Sequence, residues 1–305
     1  MTKSSTIRNG TCGLAWIKRV QRPTEPDREA DDIRLIDLFC GCGGLTLGAR
    51  EGARIHRRTL QIRFAVDINK TTVQLYRKNL TGNGKQACVD DVARIFAGKI
   101  KAARTSTERY WAKKIGDVDL LVAGPPCQGH SDLNNSTRRN DPRNQLYLRV
   151  IRACRVLKPL AAIIENVPTI VHDRTNVVDK AKAELVTLGY HISDGVIHLG
   201  RFGVPQNRKR HVLLATLEQT IALDEIKALS SVTPSIDNYL QGLEDEPKVR
   251  NGLFYQPARI TQTNQERIDY LFDNNLHNLP NELRPSCHRD KTHSYVSMYG
   301  RMYPQ

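Results

Sequence analysis

The stretch IRLIDLFCGCGG, residues 33–44, decides the fold of this chain. Its first half is a short apolar strand, and its second half is a glycine cluster followed by the helix-like residues 45–49. Glycines let the backbone approach a ligand closely, and ligands of open α/β sheets bind at the carboxyl ends of strands. The stretch therefore predicts a ligand site at the end of the first strand.

The rest of the chain repeats the pattern of a strand followed by a helix as far as about residue 218. This alternation predicts an α/β domain with a mostly parallel sheet and helices on both faces. Gly195 suggests a bulge in the sixth strand, and the short return to the seventh predicts an antiparallel pair. The further strand candidates are 62–67, 86–89, 118–123, 161–165, 190–199 and 211–216.

The clearest helical pattern covers residues 144–157. Apolar residues recur there at helical spacing on one face, and the arginines point elsewhere. The apolar residues are Leu146, Val150, Cys154 and Leu157, and the arginines are Arg149, Arg152 and Arg155.

Acidic residues follow the next two strands. Asp67 ends the second strand, where a carboxylate can accept both hydroxyls of a ribose, and Asp91 follows the third, with Asp90 as a rival for an adenine amino group. The glycine cluster lacks the G-x-G-x-x-G spacing of a dinucleotide site. Together these features favour S-adenosylmethionine over NAD.

Three more motifs lie at strand ends. GPPCQG, residues 124–129, places Cys127 after two stiff prolines at the rim of the same crevice. ENVP, residues 165–168, ends the fifth strand with an acid that can face this cysteine. In FGVPQNRKR, residues 202–210, strand alternation would point Gln206, Arg208 and Arg210 to one face.

In this order and spacing, these motifs resemble the DNA cytosine-5 methyltransferases of bacteria and phages, over residues 33–216. The resemblance implies a Rossmann-like methyltransferase fold that uses S-adenosylmethionine, with seven strands of which the last is antiparallel. It implies that Cys127 adds to C6 of a flipped-out cytosine and that Glu165 holds the N3 edge. Asn166 would orient Glu165, and Arg210, supported by Arg208, would stabilise developing charge.

The resemblance also implies the remaining contacts. The loop 130–143 would close over double-stranded DNA, and Gln206 would hold its own loop together at the DNA side. The implied cofactor contacts are Phe39, Gly41, Gly43, Gly44, Leu45, Asp67, Ile68, Asp91, Val92, Pro126 and Leu146, and the implied nucleic-acid contacts are Ser131, Arg138, Arg139 and Gln206.

Composition agrees with a polyanionic partner. Lys and Arg number 46 against 32 for Asp and Glu, which gives a net charge of +14. No apolar run is long enough to span a membrane, no secretory signal is visible, and seven cysteines are too few for a disulfide scaffold. A bacterial cytoplasm, with the protein on the nucleoid through DNA, is the expected location. Cys40 and Cys42 lack a second ligand pair, so no metal site is predicted.

Three regions are expected: a flexible leader at 1–31, the catalytic and cofactor-binding domain at 32–218, and a connecting segment with the start of an incomplete target-recognition region at 219–305. The Arg-Glu-rich and Gly-Asn-x-Val motifs of complete family members do not appear. The chain would therefore be a truncated product or one polypeptide of a split enzyme. A second polypeptide and a cognate restriction endonuclease are the predicted partners.

Three alternatives stay open at this point. A related transfer-RNA cytosine methyltransferase usually has a different string after Pro-Pro-Cys-Gln. A catalytically dead DNA-binding remnant would bind cofactor without forming an adduct. An NAD oxidoreductase fits least, since the dinucleotide glycine pattern is missing.

Overall fold

The computed structural model describes residues 32–82, 84–126, 145–228, 235, 260–286 and 289–290. The predicted leader at 1–31 lies outside these residues. The described residues up to 228 belong to one compact unit, and those from 235 onward belong to a second. The predicted boundary at residue 218 stays a prediction.

The first unit is built on a seven-stranded sheet with the order β3-β2-β1-β4-β5-β7-β6. Neighbouring strands from β1 to β5 are parallel, and β7 runs antiparallel to both β5 and β6. This topology confirms the predicted fold class. The strands are β1 Ile33–Leu38, β2 Leu60–Asp67, β3 Ala87–Val89, β4 Leu120–Ala123, β5 Ala161–Asn166, β6 His191–His198 and β7 Lys209–Thr216.

Seven described helices accompany this sheet. They are α1 Gly44–Ile55, α2 Lys70–Tyr76, α3 Val92–Ile95, α4 Ser106–Ile115, α5 Leu146–Leu157, α6 Val177–Thr187 and α7 Leu223–Ala228. A π-helical turn, Arg77–Thr81, extends α2, and Gly82 ends it in the left-handed conformation. The predicted helix at 71–79 therefore corresponds to α2 and this turn.

Side-chain alternation along the strands divides the core between the two faces of the sheet. Ile36 and Leu38 of β1 join one large cluster that includes apolar residues of α3, α4, α5 and α6. Asp37, between them, bonds to Thr46 of α1 on the opposite face. Helices thus cover both faces, as the alternation of strands and helices predicts.

Two local predictions are wrong. Arg152 does not point away from the core, because its side chain is 0% exposed and pairs with the equally buried Glu108 of α4. β6 carries no bulge at Gly195, since its register with β7 is continuous from His191 to His198. The glycine instead allows a close approach, because a Cβ there would lie 2.9 Å from Cδ2 of Leu223 in α7.

The described part of the second unit contains one helix of three turns, α8 Gln262–Asp273, capped by the Thr261 side chain. Leu271 of α8 is buried, and the guanidinium of Arg267 donates to the carbonyl of Leu283. Among the described residues, no helix is long and apolar enough to cross a membrane.

Candidate active site

The glycine turn after β1 combines two kinds of glycine. Gly43 has a φ of 92°, and a Cβ there would lie 2.1 Å from Cδ1 of Leu80 and 2.9 Å from Cδ2 of Tyr76. Gly41, with a φ of 48°, and Gly44 would meet no atom within 4 Å. Gly43 therefore seats the turn on α2, while Gly41 and Gly44 leave open backbone at the start of α1 for a ligand.

Asp67, at the end of β2, holds this turn in place. Its Oδ2 accepts a hydrogen bond from the backbone N–H of Gly41 at 3.0 Å, and its Oδ1 accepts one from Asn69 at 2.8 Å. Asn69 in turn caps α2 by accepting from Thr71 and Thr72. The half-buried carboxylate thus fixes the glycine turn and keeps lone pairs for a ligand hydroxyl.

A buried acid lies under the same turn, and the sequence motifs did not single it out. Asp37 of β1 is 1% exposed, and its Oδ2 accepts from the Thr46 hydroxyl at 2.7 Å. The Thr46 hydroxyl also lies 2.8 Å from that of Tyr76. Burial, only partly offset by the Thr46 bond, raises the pKa of Asp37 to about 7. The signal in the sequence was a carboxylate in the middle of an apolar strand.

The end of β3 offers a choice between two acids. Oδ1 of Asp91 caps α3 by accepting from Ala93 at 2.8 Å, whereas Asp90 bonds to the Asp91 backbone and lies 3.8 Å from Arg94. Ile68 at the end of β2 is 75% exposed, but Val92 is 2% exposed and packs in the main core. Ile68 therefore exposes an apolar side chain next to Asp67, while Val92 is buried behind the end of β3.

The carboxyl end of β5 and the start of β7 bring two predicted residues together, Glu165 and Arg210. Nε of Arg210 lies 2.7 Å from Oε1 of Glu165, in a pair whose side chains are 19% and 30% exposed. A Cβ on Gly124 would lie 3.7 Å from Oε2 of Glu165 and 3.9 Å from Cδ1 of Leu45. The carboxylate therefore faces both the glycine that follows β4 and the first turn of α1.

Asn166 ties β5 to the proline segment after β4. Its Nδ2 donates to the carbonyl of Pro125 at 3.2 Å, and its Oδ1 accepts from the N–H of Val167 at 2.8 Å. The side chain is 2% exposed, so these bonds are shielded from water. Asn166 thus fixes the backbone two residues before Cys127.

Arg208 and Gln206 do not join this group. Both are exposed, and β7 begins only at Lys209, so the strand alternation predicted for residues 206–210 does not extend to them. Three further predicted cofactor contacts, Phe39, Pro126 and Leu146, are half-buried. Four predicted site residues lie outside the described part of the chain: Cys127, Ser131, Arg138 and Arg139.

Three described cysteines are poor rivals for the nucleophile. Burial raises the pKa of the Cys40 thiol far above its usual range, that of Cys88 to about 11 and that of Cys154 to about 12. Only a thiolate attacks, so these three stay protonated and inert near neutral pH.

A mostly parallel sheet in which β7 runs antiparallel between β5 and β6, with a glycine turn and acids at its first strand ends, is typical of a Rossmann-like methyltransferase that uses S-adenosylmethionine. Within that class, this chain belongs to the C-5 cytosine-specific DNA methylase family, whose model matches residues 33–300. The match confirms the predicted family, enzyme class and cofactor.

Individual relatives agree with this assignment. The chain is 36% identical over 294 residues to the type II methyltransferase M1.BsuMI of Bacillus subtilis, covering 95% of this chain and 67% of that protein. It is 30% identical to DNA (cytosine-5)-methyltransferase 1 of Rattus norvegicus, covering 65% of this chain and 12% of that protein.

A solved structure shares the fold. A protein described as a prophage-encoded DNA modification methyltransferase of E. coli has a TM-score of 0.55 and 27% identity. The match covers 70% of this chain and 56% of that one. The chain thus spans about two thirds of the Bacillus relative and smaller shares of the other two.

Proposed function

We propose that this chain transfers a methyl group from S-adenosylmethionine to C5 of a flipped-out cytosine in double-stranded DNA. One observation carries the proposal: the Glu165 carboxylate, paired with Arg210, faces the backbone at Gly124 that leads to Cys127. A nucleophilic sulfur and an acid beside one pocket are what addition to a cytosine ring requires.

The residues at the ends of β1, β2 and β3 fit the cofactor. The open backbone at Gly41 and Gly44 would admit its methionine part, the Asp67 carboxylate its ribose, and exposed Ile68 with Asp91 its adenine. Bound S-adenosylmethionine supplies a methyl group on a sulfonium, which a carbon nucleophile can accept. Phe39, Gly43, Leu45, Val92, Pro126 and Leu146 would complete or support the walls.

The proposed chemistry begins at Cys127. Its thiolate forms a bond to C6 of the cytosine, and the ring electrons move toward N3, where a proton shared with the Glu165 carboxyl group neutralises the developing charge. This makes C5 nucleophilic enough to take the methyl group, and the sulfonium sulfur keeps the electron pair of the broken bond as a neutral thioether. A base then removes the C5 proton, the C5–C6 double bond re-forms as the S–C6 bond breaks, Cys127 leaves as a thiolate, and N3 returns its proton to Glu165.

Positioning residues prepare these groups. Asn166 holds Pro125 and so sets where the chain enters the segment of Cys127. Arg210 holds Glu165 and would stabilise negative charge near the ring, because a cation in a shielded site favours the charged form. Arg208, exposed just before the same strand, would support Arg210 once DNA covers it.

Ser131, Arg138, Arg139 and Gln206 are the proposed DNA contacts. The target atoms are inaccessible in a stacked duplex, so these residues would repay part of a flipping cost of about a few kcal/mol. Residues 32–218 would form the catalytic domain, and 219–305 would contribute to target recognition. A cognate restriction endonuclease, a second polypeptide and a place on the bacterial nucleoid complete the proposal.

Labelled S-adenosylmethionine tests the function directly. We expect label in duplex DNA and not in transfer RNA, and we expect duplex DNA containing 5-fluorocytosine to trap the protein covalently. Cys127→Ser should abolish both signals, while Cys88→Ser, which alters another thiol, should keep them. Label found only in transfer RNA would overturn the choice of substrate, and cofactor binding without trapping would indicate a dead remnant.

A further inference from the structure

The segment 94–114, from α3 to the end of α4, carries an unusual distribution of charge. Its seven cations are all exposed, and its single acid, Glu108, is fully buried. The cations are Arg94, Lys99, Lys101, Arg104, Arg109, Lys113 and Lys114. The segment therefore presents positive charge to solvent without any acid of its own to neutralise it.

Two arginines of α5 hold the backbone of this segment from behind. Nη1 of Arg149 donates to the carbonyls of Phe96, Ala97 and Gly98, at 3.1–3.2 Å. One turn further along, Arg152 donates to the carbonyls of Ile100, Ala102 and Ala103, at 2.7–3.1 Å. Six carbonyls of an eight-residue stretch thus point inward onto two guanidinium groups.

Glu108 completes this support. It accepts both Nε and Nη2 of Arg152, at 2.8 and 2.6 Å, and also the N–H groups of Gly98 and Thr105. A buried ion pair is costly unless all its hydrogen-bonding groups are satisfied, and here they are used to shape the loop. A loop fixed in this way loses little backbone entropy when its side chains bind a partner.

The cationic surface continues along α4. Arg109 and Lys113 lie one turn apart on its exposed face, and the Arg109 guanidinium donates to the carbonyl of Arg104, which joins helix and loop. The helix α4 leads into the amino end of β4, which is parallel to β1. The loop before α4 therefore lies toward the carboxyl ends of these strands, where the glycine turn also lies.

We propose that Lys99, Lys101, Arg104, Arg109 and Lys113, the basic face, bind the phosphate backbone of double-stranded DNA outside the target base pair. The inference rests on the proposed function, which makes DNA the polyanion that this chain must meet. Cations on a fixed backbone suit a regular array of phosphates, and such contacts carry no sequence information. The basic face would hold flanking duplex while another part of the protein reads the target.

The test measures binding of the full chain to a random-sequence 30-base-pair DNA duplex by fluorescence anisotropy at several salt concentrations. The variant K99Q/K101Q/R104Q removes three charges from the basic face, and K78Q/K85Q/K180Q removes three exposed lysine charges elsewhere on the first unit. The salt slope is the decrease of log K for DNA binding with log of the salt concentration, and each lost phosphate contact lowers its magnitude by about 0.9. The slope of the first variant should therefore fall by about 2.7, and that of the control should change little.

Equal losses for the two variants would overturn the proposal, because they would reflect net charge alone. A loss confined to duplex RNA of the same length would overturn it in favour of an RNA partner. The control variant K78Q/K85Q/K180Q should methylate DNA at the wild-type rate, which shows that three lost charges do not by themselves impair the enzyme. If the wild type transfers no methyl group at all, the proposed function fails, yet the binding comparison still decides on the basic face.

Discussion

Two of the Arg–Glu pairs among the described residues have almost equal lengths but opposite surroundings. Arg152 and Glu108 approach to 2.6 Å with both side chains 0% exposed, while Arg210 and Glu165 approach to 2.7 Å at 19% and 30% exposure. The first pair is saturated, since the guanidinium also holds three carbonyls and the carboxylate two backbone N–H groups. The second leaves Oε2 of Glu165 facing Gly124 without a hydrogen bond from any described residue.

The difference separates structural support from chemistry. The groups of a fully satisfied pair have no hydrogen-bonding capacity left for a substrate, and removing one partner leaves a buried charge unpaired. A half-exposed pair contributes little to stability, but it holds a carboxyl in a fixed orientation with one oxygen free. The same two residue types thus stabilise a loop in one place and prepare a reaction in the other.

Glu165→Gln should have the largest effect on activity of the substitutions considered. Because the amide cannot supply a proton to the ring, methyl transfer should fall by about 10²- to 10⁴-fold. The free energy of unfolding should change by less than about 1 kcal/mol, since the pair is partly solvated. Single-turnover transfer of labelled methyl and urea unfolding measure the two effects, and a variant that unfolds without losing transfer would reverse the assignment.

Glu108→Gln examines the other pair. Removing the carboxylate charge leaves Arg152 buried without a counter-ion, so the free energy of unfolding should fall by about 3–5 kcal/mol. The turnover of the molecules that remain folded should stay close to that of the wild type. Urea unfolding gives the first quantity and titration of active sites the second. A loss below about 1 kcal/mol would show that the buried pair is not the main support of the loop.

Asp37 differs from both glutamates, because it is a buried acid that forms no ion pair with any described residue. Burial works against ionisation of Glu108 too, but bonds from Arg152, Thr105 and Gly98 prevail and lower its pKa to about 2, whereas that of Asp37 rises to about 7. Between pH 4 and 7 the folded state therefore holds a proton on Asp37 that the unfolded chain has released. The free energy of unfolding falls as the pH rises through this window, by up to about 1.4 kcal/mol per unit.

Asp37→Asn should remove this part of the pH dependence, because the amide keeps the shape and does not titrate. Urea unfolding at pH 5 and pH 7 should show a smaller decrease for the variant than for the wild type. Asp224→Asn, at a side chain that is 89% exposed, serves as the control. Identical decreases in wild type and Asp37→Asn would mean that Asp37 is ionised throughout.

The sequence predicted the sheet, and it predicted which motifs lie at the strand ends, because these motifs are local. Each glycine turn, acid or Gly-Pro-Pro string directly follows its own strand, and parallel strands bring these ends to one edge. The family resemblance assigned Glu165 and Arg210 to one site, but it did not predict the ion pair that joins them. Strand bounds differ from the predicted ones by two residues or fewer.

The failures share a physical cause, which is contact between residues distant in sequence. Helical periodicity treats Arg152 as a polar residue, and its partner Glu108 lies 44 positions away on another helix. A glycine within a strand pattern suggests a bulge, but Gly195 is explained by the close approach of the Leu223 side chain. Gln206 and Arg208 precede β7, whose start at Lys209 depends on pairing with His198. None of these partners could be read from the local pattern.

The smallest effect concerns a third pair, which lies within one helix at partial exposure. Arg54 and Glu51 lie one turn apart on α1, 2.9 Å from each other, at 29% and 37% exposure. Glu51→Gln should change the free energy of unfolding by less than about 0.5 kcal/mol and leave methyl transfer unaltered, because solvent screens such pairs. The same urea and transfer measurements apply. A loss of stability as large as that of Glu108→Gln would mean that distance, rather than burial and saturation, determines how much an ion pair contributes to the free energy of unfolding. The contrast between the other two pairs would then be wrong.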